Sequence, residues 1–151
     1  MDLSDSEKSI WIELIVSITV SIYYFSHVIG IDGFMDITNI AFGKVIINSI
    51  LFSIVAAILL AAIFRHKNNE RKDERDIAIS TRGIMFAVYT LKVILILIIG
   101  HIMLNEGVGY FAPLRAIEIS TSQMVHMIVI AILAADTVKS VVQIFSYRRG
   151  F

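Results

Sequence analysis

The chain has 151 residues, 57% of them hydrophobic, with 13 basic and 13 acidic side chains and no cysteine. A mean hydropathy of +0.80 excludes an ordinary soluble domain, since the apolar residues come in blocks rather than on one face of each element. Balanced overall charge says nothing about a nucleic-acid partner, and none is expected; the lack of cysteine excludes disulfides, thiol catalysis and Cys-ligated metals.

A membrane-crossing helix needs about 20 mostly apolar residues. Four segments qualify, at about 10–29, 40–64, 84–104 and 120–145. They predict an all-α membrane protein. Its fold would be an antiparallel four-helix transmembrane bundle, built from two helical hairpins, in one domain spanning 1–151. The first residues are acidic and the first apolar run is long enough to span, so a cleaved signal peptide is not expected.

The first span carries Glu13 near its start and His27 near its end. An acidic, turn-like connector, Ile31 to Asp36, follows. The second span has small residues at four-residue spacing, Ser53, Ala57 and Ala61, matched by Ser17 and Ser21 on the first and Ala131 and Ala135 on the fourth. Such spacing lets helices approach closely where dispersion replaces the hydrophobic drive. It serves either the bundle itself or a homo-oligomer.

A charged loop separates the two hairpins, running from Arg65 to Asp76. Asp73 is placed to cap the third helix, Asp76 stands at the capping-box position, and both carboxylates suit the positive end of the helix dipole. Arg75 and Arg82, seven residues apart, share a face. Asp73, Glu74, Arg75, Asp76 and Arg82 therefore form either an ordered helix start or a docking surface for a cytoplasmic partner or anionic lipid. Counting lysines and arginines by side gives ten with both termini and the charged loop, against Lys44 and Arg115 opposite. That bias predicts both termini in the cytoplasm.

The pattern Asp73-Glu74-Arg75-Asp76, followed by Ile79, Arg82-Gly83, Ala87, Tyr89 and Leu91, resembles the "DERD…I…RG…Y…L" signature. That signature marks a family of small bacterial multi-span membrane proteins of unknown function. The resemblance covers about 20 residues plus the four-span layout, and it implies the bacterial inner membrane. It carries no catalytic or binding residue with it.

The third and fourth spans hold the remaining costly groups. Lys92, Asp136 and Lys139, with Glu13, would all lie in the inner half of the bilayer, where each charge costs at least about 2.5–3.5 kcal/mol on insertion scales. The expected arrangement pairs Lys92 with Asp136 and leaves Lys139 to Glu13 or the interface; a proton relay and a snorkelling lysine are the alternatives. His27, His101 and His126 share the outer half, so a haem or transition-metal site is conceivable there, though none forms a close i, i+4 pair. Asn105 to Arg115 reads as an outer loop, and Pro113, the only proline, lies outside the spans. An offset of 74 residues aligns His27 with His101 and Asp32 with Glu106, a weak internal repeat.

Nothing in the chain resembles a nucleotide loop, a catalytic triad or a paired-carboxylate site, and no cofactor is the first expectation. The leading expectation is therefore a membrane component acting by assembly, as a homo-oligomer or with another protein. A small ion channel or proton- or ion-coupled transporter comes second, and a haem or metal protein third.

Overall fold

The structure is a computed structural model that describes residues 5–30, 33–65, 73–111 and 120–149. His66 to Lys72, Asp32, Pro113, Arg115 and Glu118 lie outside the described residues, as do the side chains of Arg65 and Glu106. Four helices dominate: α1 (Asp5–Val28), α2 (Ile40–Arg65), α3 (Glu74–Phe111) and α4 (Thr121–Arg149). Each contains a stretch long and apolar enough to cross a membrane. The protein is an all-α, multi-pass four-helix bundle.

The helix starts follow from local chemistry. Asn39 accepts the Ala41 amide through its side chain at 2.9 Å and so caps α2. Ser120 and Gln123 form a reciprocal capping box on α4, each side chain bonding the other's backbone amide, at 3.2 and 3.0 Å. The Asp73 carbonyl accepts the Ile77 amide at 3.1 Å, which places Asp73 at the N-cap of α3. Asp76 does not complete the expected box; its carboxylate reaches other helices instead.

Two further differences from the sequence reading stand out. First, α3 has 38 residues, about 57 Å at about 1.5 Å per residue, well beyond the roughly 30 Å hydrocarbon core. Its start at Glu74 is the one the Asp73 cap predicts. Its end absorbs Asn105 to Phe111, read above as loop, because isolated glycines such as Gly107 and Gly109 weaken a helix without breaking it. Second, the connector after α1 is a minimal hairpin of β1 (Ile29–Gly30) and β2 (Gly33–Phe34), with Ile29 opposite Phe34 and Gly30 opposite Gly33. Gly33 has φ of 108°, a conformation that a side chain would strain.

Each hairpin packs on itself, α1 with α2 and α3 with α4, and the two join through α1 against α4. No comparable α2–α3 interface exists among the described residues. In order of contact the helices therefore run α2, α1, α4, α3, an open row rather than a closed square. This is not a two-fold arrangement, since a two-fold would match the α1–α4 interface with one between α2 and α3. The register is antiparallel throughout. Ser17 meets Thr137 and Tyr24 meets His126 across α1 and α4, while Ser80 meets Gln143 across α3 and α4. Gly83 permits that last approach, because a Cβ there would lie 2.5 Å from Gln143 Cγ. Lipid-type exposure is extensive on the outer helices, including Ile50, Leu51, Ile54 and Ile58 on α2 and Ile96, Leu97 and Ile99 on α3.

Candidate functional site

The α1–α4 interface carries two polar assemblies of opposite character. At the hairpin end, His126 and Tyr24 are each fully buried, at 0% exposure. The Tyr24 hydroxyl lies 2.6 Å from His126 Nδ1, and His126 Nε2 lies 2.7 Å from the Met35 carbonyl. A carbonyl only accepts, so Nε2 carries a proton, and Nδ1 shares the second hydrogen bond with the tyrosine hydroxyl: both ring nitrogens are used. Phe34 stacks on the ring at 5.0 Å and Phe42 meets it edge-on at 5.1 Å. The hairpin thus delivers Phe34 and the Met35 carbonyl onto a histidine of α4. No periodicity in the sequence sets the register that forms this knot.

Beside it, Asp36 accepts the Thr38 amide and hydroxyl, each at 2.9 Å, and the Ser122 hydroxyl at 3.2 Å. These bonds, the Thr38 amide foremost, hold the Asp36 carboxyl below its usual range.

The histidine reading changes accordingly. His126 has no free lone pair, so it is not placed to ligate haem or metal. His27 is exposed and turns its Nδ1 to the Tyr23 carbonyl at 2.8 Å, while His101 is partly exposed on α3. Among the described residues, no group of three His, Asp or Glu side chains is arranged to hold a metal ion.

Toward the end that carries both helix termini, the same interface opens. Lys139 Nζ lies 2.9 Å from Glu13 Oε2, with the side chains 32% and 41% exposed. Ser17 and Thr137 share a hydrogen bond of 3.0 Å. Glu13, Ser17, Asp136 and Lys139, with Ser140, Ser53 and Ala57, line an open cavity of about 250 Å³ between α1, α2 and α4. Two carboxylates and one ammonium share it, a surplus of one negative charge when all are ionised.

The expected Lys92–Asp136 pair does not form. Among the described residues Lys92 has no ion pair, and it sits on an exposed face of α3. Two features explain the miss. The α3–α4 register sets residues 131–134 opposite Lys92 and residues 87–90 opposite Asp136, so the two differ in height by about one turn. Asp136 also faces the α1–α2 side of α4, whereas α3 lies on another side. The alternative assignment of Lys139 to Glu13 is the one realised.

At the terminal end, Asp76 ties three helices together. It accepts from Ser6 at 2.8 Å and from the Tyr147 hydroxyl at 2.5 Å. Arg75 donates to the Tyr147 carbonyl at 3.2 Å and lies over its ring. Half of the charged signature is thus a structural clasp, while Asp73, Glu74 and Arg82 remain at the exposed helix start.

No family model, curated protein or solved structure matches the chain. What the site does must come from its own geometry.

Proposed function

We propose that this protein is a non-enzymatic component of a bacterial cytoplasmic membrane that acts by assembly with another membrane chain. The observation that carries the reading is the open groove holding Glu13, Asp136 and Lys139. One pair inside it is mutually satisfied, and Asp136 remains beside it, exposed toward the missing side of the bundle. A charge presented to lipid near mid-bilayer costs at least about 2.5–3.5 kcal/mol on insertion scales. A covering helix removes that exposure, and the open row of helices leaves room for one.

The ten-to-two distribution of lysine and arginine supports an orientation with both termini inside. The DERD-type resemblance supports the bacterial inner membrane and membership in that family of small membrane proteins. An ion path is the second reading, favoured by the same groove charges. Against it, the buried knot of Tyr24, Val28, Phe42 and His126 fills the other end of the same interface.

Purification in a mild detergent, followed by native mass measurement, tests the assembly reading. A particle of more than one chain, or one retaining a second protein, is the expected result. A strictly monomeric particle with no partner, joined by ion flux in liposomes, would replace assembly with transport.

A further inference from the structure

We propose that the occupant of the groove is a second copy of this chain, whose α3 enters it and sets its Lys92 against Asp136. The inference rests on the assembly reading and names its partner. Within one copy, an ammonium on α3 and a carboxylate in the groove are left on surfaces that do not meet, and among the described residues neither makes an ion pair.

Depth makes the match specific. Two copies inserted in the same orientation share one height scale, so a neighbour's Lys92 lies level with residues 131–134 of α4 and 49–53 of α2. Asp136 is then about one helical turn nearer the terminal end, roughly 5 Å, within reach of a lysine stem directed that way. The lysine has no easier route to water. It lies ten residues beyond Arg82, roughly 15 Å along the helix, more than snorkelling spans.

Direction also fits. α3 runs antiparallel to α4 and so to α2, and α1 already runs antiparallel to both. A neighbour's α3 therefore completes an alternating square around the groove and supplies the α2–α3 contact that one copy lacks. The exposed stripe carrying Lys92 continues through Val88 and Ile96, one turn away on either side, and is apolar apart from the lysine. Ser53 and Ala57 on the groove wall are small enough to admit it. The contact is head-to-tail, with different faces on the two copies, so repetition closes a ring or extends a row.

The chain contains no cysteine, so introduced pairs report without background. Two differently tagged full-length chains, one Ala57→Cys and one Val88→Cys, are co-expressed and oxidised in the membrane; the register places these positions at one height. The expected result is a disulfide-linked heterodimer, with little dimer from either chain alone. Adding Asp136→Asn to the Ala57→Cys chain, or Lys92→Met to the Val88→Cys chain, lowers its yield at least about fivefold, roughly 1 kcal/mol. Asp136→Lys on the first chain with Lys92→Glu on the second restores it, which separates loss of pairing from loss of folding. Bridging only between two Val88→Cys chains, no bridging, or a yield indifferent to both charges would overturn the proposal. A multimer by native mass without the Ala57–Val88 bridge defeats only this inference; a monomer without any partner defeats the assembly reading as well.

Discussion

The two ends of the α1–α4 interface are built from similar material and finished differently. At the hairpin end, every polar atom of His126 and Tyr24 is matched inside one chain, and aromatic rings close the space around them. At the terminal end, charges converge on a groove with one side absent, and the carboxylates outnumber the single ammonium. A bundle needs the first kind of assembly to stay folded. The second makes sense when the folded unit is not yet the working unit.

The sharpest break in this comparison comes from the closed end. His126→Ala removes two hydrogen bonds, leaves the Tyr24 hydroxyl without its partner and opens a cavity among Phe34 and Phe42. We expect about 2–4 kcal/mol of destabilisation by thermal unfolding in detergent. A loss below about 0.5 kcal/mol would mean the knot is incidental.

Next in size is the α3–α4 contact. Gly83→Val forces a branched side chain against Gln143, which Gly83 now admits at close range. A loss of about 1–3 kcal/mol is expected in the same assay, with Gly83→Ala the milder of the two.

Substitution in the open groove is expected to move assembly more than folding. Lys139→Met leaves Glu13 and Asp136 as uncompensated neighbours. The pair lines the open groove rather than the closed part of the interface, so its loss bears first on whatever covers the groove. The unfolding temperature of the single chain should therefore change little while the multimeric fraction by native mass changes several-fold. Equal and large effects on both would erase the distinction between the two ends.

The smallest effect concerns Asp36. Its carboxyl is depressed by bonds made only in the folded chain, so this contribution is present above the unfolded value near 4 and is lost as pH falls through the folded value. Thr38→Ala removes the hydroxyl bond and keeps the amide bond, so the Asp36 titration, followed by NMR, should move only part of the way up toward that ordinary value. An unchanged titration would remove the Thr38 hydroxyl as a contributor and leave the backbone amide.

Much of the fold was readable because bilayer thickness and hydropathy restrict each segment to few choices. Four spans, their antiparallel sense and the Asp73 cap follow from local rules. Interhelical register does not. Lys92 and Asp136 were paired on estimated depth alone, an error of about one turn and one helix face. The His126 knot escaped notice because its partners come from α1 and from a two-strand hairpin, where no periodicity announces a contact. Asp76 reads as a local cap, yet its carboxylate serves Ser6 and Tyr147, 70 and 71 residues distant. Small residues divided in the same way: Ala131 and Ala135 are buried in packing, while Ala57 faces the open groove.

The most direct test of assembly through the groove is single-molecule photobleaching of labelled protein, reconstituted in liposomes at high dilution. Several bleaching steps per particle for the unsubstituted chain, falling to one with Asp136→Asn while the helical spectrum and melting of the chain persist, is the predicted result. Single-step bleaching in both would contradict it.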